Sequence, residues 1–373
     1  MVTSRSKSAS LRLRTLVACV VAATLLSSCN ANAASTPGAS TTTSTPTSDG
    51  VSGFGPGKEI ANGLDVPWGL SFLPGGDALV AERNSGQVWQ LSPSGTPPKK
   101  VYKVPDVVAK REGGLLGLAV SPHYGTDKLV YAYVTTAQDN RIVRFQLGGG
   151  PPTLVFGGIA AGVSHDGGRI AFGPDGMLYA AVGDIDKPDS SMDLTSFNGK
   201  MLRLTPDGKP APGNPFDNSP IYSLGHRNVE GMAWDSSGRL FASEFGESDW
   251  DEVNLIQPGG NYGWPKVEGK GDTAGGKYVN PLVTWRPQDA SPSGVAITGD
   301  TLYVACLRGE RLWAIPLKDG VLGTPRAELK GRYGRIRTVE VAPDGALWIA
   351  TSNTDGRGTE RDGDDRIVRF PRL

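Results

Sequence analysis

VSHDGGRIAFGPDGMLYAAVGD, residues 163–184, is the stretch from which the fold can be read. Two short apolar runs, around Ile170 and around Leu178 to Val182, flank Pro174-Asp175-Gly176. Proline and aspartate start a tight turn, and glycine accepts the positive φ that closes it, so the segment reads as a β-hairpin. The pattern recurs along the chain. It appears as GLSFLPGGDALVAER from Gly69, GLAVSPHYGTDKLVYAYV from Gly117 and GMAWDSSGRLFASEFG from Gly231. It returns as GVAITGDTLYVACLRG from Gly294 and TVEVAPDGALWIATSN from Thr338. A third apolar run follows each hairpin: QVWQLSP, RIVRFQL, KMLRLTP, EVNLIQP, RLWAIPL and DRIVRFP.

Six three-strand units at intervals of roughly 45–60 residues imply repetition around an axis, because one unit cannot bury its apolar face alone. The expected fold is all-β, a six-bladed β-propeller with no helix longer than a turn or two. Lys58 to Leu64 lacks a hairpin partner and is expected as the outer strand of the last blade, closing the ring and covering its edge. Composition agrees. The 51 glycines are about twice the usual share of ~7 %, and with 28 prolines they favour short strands and tight turns over helices. Basic and acidic residues balance at 38 each, which gives no footprint for a nucleic-acid partner.

The N-terminus carries a different signal. Arg5, Lys7, Arg12 and Arg14 precede an apolar run from Leu16 to Leu26 and then Ser27-Ser28-Cys29. A basic region, a short apolar core and small residues at the cut describe a secretory signal peptide, expected over residues 1–28. A cysteine straight after the small residues resembles a bacterial lipobox, with Cys29 as the lipidated first residue of a protein anchored to the outer face of the cell membrane. Cleavage after Ala33 or Ala34 by an ordinary signal peptidase is the alternative. Residues 29–57, rich in Ser, Thr, Pro, Ala and Gly, are expected as a flexible tether, and residues 58–373 as the propeller. With Cys19 in the signal and Cys29 acylated, Cys306 is the remaining thiol, so no internal disulfide is expected.

In a propeller, loops from different blades converge at the central channel, and the polar residues there are the candidates for chemistry. His165 precedes an inner strand, and an imidazole is the side chain that can take up a proton near neutral pH, as a general base must. Asp184 ends the neighbouring strand, where it could accept from the other ring nitrogen. His123 reads as a turn residue, and His226 reads equally as structural or as part of the site. Arg227, Arg308, Arg335 and Arg337 stand near strand mouths in three units, which suits a ligand with several carboxylates. Strand alternation puts Arg335 and Arg337 on one face. The acidic stretch from Glu247 to Glu252 suits a hard cation or, equally, a solvated loop.

Taken together, GGLLGLAVSP, HDGGR, GKMLRLTPDGKPAPGNPF, GHRNVEGMAW, DEVNLIQPGGNYGWP, ASPSG and RIRTV resemble the soluble glucose/sorbosone dehydrogenase family over residues 58–373. That family comprises six-bladed propellers using pyrroloquinoline quinone (PQQ) and calcium, and the chain resembles its aldose sugar dehydrogenases in an actinobacterial, mycobacterial-type lipoprotein form. The resemblance implies His165 as catalytic base, Asp184 as the carboxylate orienting it, and Arg227 with Asn228 beside the reactive carbonyl of the cofactor. It also implies Arg335 and Arg337 on the cofactor carboxylates, Arg308 where relatives carry lysine, and Trp285 stacked on the cofactor. The carbonyls of Gly246 and Glu247 match the cofactor's calcium ligands. Glu252 and the Tyr262 carbonyl, with Asp251, match a second, structural calcium. The implied reaction oxidises the anomeric carbon of an aldose to a lactone, with the hydride passing to PQQ.

Three positions depart from the family. Glu112 stands where relatives have a cofactor-contacting glutamine, Glu247 follows Gly246 where proline is usual, and Ser164 replaces Asp or Asn before His165. A carboxylate at residue 112 would repel an anionic cofactor unless protonated or paired, with Arg111 the neighbouring cation. Glu112 and Glu247 favour an alternative, a redox-inactive propeller lipoprotein serving as an envelope binding module. A calcium-dependent lactonase is a third reading and needs several carboxylates on one channel metal.

Overall fold

The computed structural model describes residues 50–373; the expected signal peptide, Cys29 and residues 30–49 of the expected tether lie outside them. Six antiparallel sheets follow one another in chain order. Their inner strands are Pro67–Phe72, Leu115–Val120, Ile170–Phe172, Asn228–Trp234, Pro292–Thr298 and Ile336–Val341, defining blades 1 to 6. From each inner strand the chain steps outward through two further strands, as the repeated hairpin predicts. The expected ring closure is present. Lys58–Ala61 pairs antiparallel with Ile367–Phe370, so the last blade takes its outer strand from the start of the propeller.

Two features differ from expectation. Blades have a fourth, outer strand: Lys99–Lys103, Thr153–Ile159, Ile221–Leu224 and Val283–Trp285 in blades 1 to 4. In blade 5, Arg326–Glu328 and Val321–Leu322 both pair with Arg311–Lys318. Most of them lack the Pro-Asp-Gly turn that marks the inner hairpins; Pro206-Asp207-Gly208 stands well ahead of Ile221, and only Val321 directly follows an Asp-Gly pair, Asp319-Gly320. Second, part of the expected tether is packed: Val51 and Phe54 are buried in a core cluster with Tyr303 and Phe370. Gly55 N–H donates to the Pro371 carbonyl at 2.7 Å. Helix among the described residues is confined to Tyr124–Asp127, beside His123, and the 3₁₀ turn Pro188–Met192.

The core is distributed between blades. One cluster joins Tyr131 of blade 2 to Leu178 of blade 3, another Phe241 of blade 4 to Val304 of blade 5, and another Trp348 of blade 6 to Leu70 of blade 1. Burial therefore comes from the ring, not from any single sheet. The glycine that opens the repeated hairpins explains how closely inner strands approach. A Cβ on Gly69 would lie 2.4 Å from the Leu116 carbonyl oxygen of the next blade, and one on Gly231 would lie 2.1 Å from that of Ser293. Register shifts at or beside these glycines bend the first residues of the inner strands, a bulge's usual effect next to a site. Cys306 is buried and free.

Candidate active site

The starts of the inner strands and the ends of the strands paired with them surround a cavity of about 450 Å³. It brings together His165, Arg227, Asn228, Arg308, Arg335 and Arg337 with Glu112, Gly246, Glu247 and Asp251. These residues come from blades 2 to 6 and are separated by up to 225 positions in the chain, since Arg337 follows Glu112 across the ring. Asp184 stands directly behind His165.

His165 sits at φ 58°, a left-handed backbone uncommon for a residue with a Cβ. Two contacts hold it there. Its N–H donates to Glu112 Oε2 at 2.6 Å, and its carbonyl closes on Gly183, where any Cβ would approach to 1.9 Å. Its Nδ1 lies 2.7 Å from Asp184 Oδ1, a buried carboxylate whose Oδ2 accepts the Trp264 indole N–H at 2.8 Å. A carboxylate acceptor places the proton on Nδ1 and leaves Nε2 free to take another. Asn228 Oδ1 accepts the Gly167 N–H at 3.1 Å, tying blade 4 to the loop that carries the base.

Arg335 and Arg337 converge as their alternation predicts, on a residue that sequence inspection did not single out. Asp355 Oδ2 lies 2.8 Å from Arg335 Nη2 and 3.5 Å from Arg337 Nη2. Arg337 Nη1 also meets Glu230 Oε2 at 2.5 Å, while its Nε is buried with no partner. Arg227 holds its guanidinium 5.5 Å over the Trp264 ring, and its N–H donates to Glu244 Oε1 at 2.5 Å. Arg308 is exposed at the rim and forms no ion pair among the described residues. Trp68, Arg83 and Arg357 also line the cavity, outside any recognised motif.

Glu112 is paired, though with Arg357 at 2.7 Å and not with its neighbour Arg111. Burial pushes its carboxyl up, but the Arg357 charge and the His165 N–H outweigh that and hold it below the usual carboxylate range. Arg357 follows Asp355 in a blade 6 loop, 245 positions beyond Glu112, so no local signal could pair them. Glu247 is also accounted for. Its side chain is exposed, and its N–H joins those of Ser248, Asp249 and Trp250 in donating to Glu268 Oε1, at 2.8 to 3.1 Å. In trans peptides the preceding carbonyls point the opposite way, so those of Gly246 and Glu247 face away from Glu268.

Two expectations require correction, and the open reading of His226 resolves. Trp285 does not line the cavity: it packs in the core between blades 4 and 5, stacked on Trp313 with ring centroids 5.7 Å apart. The aromatic residues at the cavity are Trp68 and Phe245. Asp251 and Glu252 cannot share an ion, because neighbours on a strand point to opposite faces. Asp251 accepts N–H groups from Gly246 at 3.0 Å and Ser291 at 2.7 Å, bridging blades 4 and 5. Glu252 instead borders a small void with Glu244, Tyr262 and Glu268. His226 is structural: fully buried, it lies 2.9 Å from Glu244 Oε2 and 2.8 Å from Ser223 Oγ and stacks on Tyr262.

The residues fit the two groups that the motif resemblance implies. Six arginines line the cavity, and the buried unpartnered Nε of Arg337 is a donor awaiting an acceptor. For a cation, burial and then the Glu244 charge raise the Glu252 carboxyl above the usual range, and Asn254 between them has a buried, unpartnered Oδ1. Such a cluster gains from a divalent ion. No group of three or more His, Cys, Asp and Glu side chains is arranged to hold a metal ion among the described residues.

Comparison with known proteins agrees with this geometry. Residues 64–361 match the family model described as glucose/sorbosone dehydrogenase. The PQQ-bound aldose sugar dehydrogenase of Streptomyces coelicolor superposes with a TM-score of 0.81 at 52 % identity, covering 84 % of this chain and 96 % of that one. The aldose sugar dehydrogenase YliI of Escherichia coli is 28 % identical over 79 % of this chain and 89 % of its own. Quinoprotein glucose dehydrogenase B of Acinetobacter calcoaceticus is 32 % identical over 60 % of this chain and 55 % of its own. The chain belongs to the glucose/sorbosone dehydrogenase family.

Proposed function

We propose that this protein is a quinoprotein sugar dehydrogenase that oxidises the anomeric carbon of an aldose to a lactone with PQQ and calcium. The observation carrying this reading is the meeting, in one cavity, of the His165–Asp184 dyad with an arginine cluster of the kind an anionic cofactor needs. Bound PQQ would supply the two-electron acceptor for the hydride leaving the sugar C1. Arg335 and Arg337, with Arg308 at the rim, would hold its carboxylates, and the Gly246 and Glu247 carbonyls its calcium. Glu252 and the Tyr262 carbonyl would hold a second ion.

His165 then acts as general base: Nε2 accepts the proton of the anomeric hydroxyl while Asp184 keeps the ring oriented and stabilises the charge it gains. Trp264 fixes Asp184, and Glu112 fixes the His165 backbone, so the base is held from two sides. Arg227 sets a cation, with Asn228 beside it, where negative charge on the reduced acceptor would be stabilised. The redox-inactive alternative rested on Glu112 and Glu247. Pairing of Glu112 with Arg357 and exposure of the Glu247 side chain weaken both grounds for it.

The test is reconstitution of the full chain with PQQ and calcium, followed by the bound cofactor's absorption and dye reduction over an aldose panel. Saturable binding and aldose-dependent reduction support the reading; no binding at micromolar PQQ sinks it. The N-terminal segment supports export and anchoring through a lipid on Cys29. Labelling with a fatty-acid analogue, abolished by Cys29→Ala, tests that separately.

A further inference from the structure

A second carboxylate faces the imidazole of His165, and the mechanism above does not use it. His165 Nδ1 lies 2.7 Å from Asp184 Oδ1 and 3.3 Å from Asp186 Oδ1. The two acids differ in access: the Asp184 side chain is 1 % exposed and that of Asp186 is 56 % exposed. Both Asp184 oxygens are occupied, since Oδ1 also accepts the Asp186 N–H at 3.0 Å and Oδ2 accepts the Trp264 indole. Asp184 can orient the ring but has no route to water. Asp186 touches the same nitrogen and opens onto solvent.

The backbone is bent to produce this contact. Ile185 and Asp186 take φ 52° and 58°, so the chain doubles back after Asp184. A β-branched residue rarely adopts such an angle, and the buried Ile185 side chain together with its N–H contact to the His165 carbonyl at 3.3 Å holds the turn in place. The other charged groups near the ring are Glu112, whose carboxylate takes the His165 N–H and the Arg357 charge, and the adjoining Asp166.

We propose that Asp186 is the port through which His165 passes its proton to solvent. This rests on the dehydrogenase reading, in which Nε2 takes the hydroxyl proton while bound substrate covers that side of the ring. The O–H bond breaks as Nε2–H forms; the Nδ1–H bond then breaks as the proton moves to Asp186 Oδ1, and the resulting acid delivers it to water. The electrons leave separately, with the hydride to the quinone. When product departs, water entering the cavity takes the Nε2 proton, while Asp186 takes one up from solvent and passes it to Nδ1, restoring the starting tautomer. Asp186 is thus a positioning residue for the proton, acting through His165.

The test compares wild type with Asp186→Asn and, as a control on the same loop, Asp189→Asn. The first measurement is hydrogen exchange of the His165 Nδ1 proton with water by NMR on cofactor-free full chain; three histidines in the sequence make assignment tractable. Asp186→Asn should slow that exchange about tenfold or more, and Asp189→Asn should leave it unchanged. The second measurement is turnover of the PQQ-loaded enzyme. Asp186→Asn should lower kcat about tenfold with KM little changed, and small carboxylic acid buffers should restore it. Exchange equal to wild type in Asp186→Asn overturns the proposal, as does a kcat loss that no buffer rescues. An enzyme without aldose turnover would count against the dehydrogenase reading alone, since the exchange measurement needs neither cofactor nor substrate.

Discussion

Replacing Asp166 with asparagine should remove a pH dependence from the stability of this propeller. Asp166 adjoins the base and is 1 % exposed. Its Oδ1 accepts from Asn140 Nδ2 at 2.7 Å and from the Gly162 N–H at 2.9 Å, while Oδ2 is buried without a partner. Burial is the largest influence on the carboxyl and raises it from 3.8 to about 6, against the pull of those two donors. The folded state therefore binds its proton more tightly than the unfolded chain. Stability from this group is complete below the ordinary carboxylate value and is lost as pH rises to about 6. At about 1.4 kcal/mol per pH unit the loss amounts to roughly 3 kcal/mol, several degrees in Tm for a domain of this size. An asparagine keeps the Oδ1 contacts but sets an unpartnered NH₂ where Oδ2 was, a pH-independent cost of about 1–3 kcal/mol. The absolute Tm at one pH is therefore not diagnostic, and the difference between the two proteins across pH is. Thermal unfolding of cofactor-free wild type and Asp166→Asn should be followed from pH 4.5 to 7.5 at fixed calcium. The Tm gap should move in favour of Asp166→Asn by several degrees up to about pH 6 and then level off. Parallel curves would refute the reasoning.

Further expectations concern the site and the ring. Trp264→Phe removes the indole donor to Asp184 and should lower kcat about tenfold with the fold intact, checked by circular dichroism beside dye-coupled kinetics. His165→Ala should abolish turnover but retain PQQ binding, whereas Arg335→Ala should weaken PQQ binding at least tenfold; equilibrium titration of cofactor absorbance separates the two. Arg357→Ala leaves the Glu112 carboxylate unpaired beside the anion site and should likewise weaken PQQ binding. Restoration by the double variant with Glu112→Gln would identify charge repulsion as the cause. A chain beginning at Lys58 loses the buried Val51 and Phe54 and should be less stable in urea by about 3 kcal/mol than one beginning at Pro46.

The repeat was legible in the sequence because a hairpin is a local object. Pro174-Asp175-Gly176 and its counterparts need only their own residues to turn, and alternation within a strand needs only its neighbours. Six such signals imposed the propeller, and the unpartnered Lys58 to Leu64 implied the closing strand found at Ile367–Phe370. His165, Asp184 and the Arg335–Arg337 pair could be singled out because they stand in short motifs at strand mouths. Ring closure was needed for the rest. Glu112 met Arg357, and not adjacent Arg111, because blades 2 and 6 both open onto the channel while the Arg111 side chain is exposed. Trp285 went to the core and Trp68 to the cavity because strand position, not residue type, sets which face an aromatic ring meets. Asp251 and Glu252, adjacent in sequence, were separated by the alternation of their strand. The sequence alone determined the repeat and the residue types able to carry acid–base and anion-binding chemistry, since both depend on short-range covalent geometry. The tertiary structure decided which of those residues meet, since closing the ring turns distances along the chain into contacts across the channel.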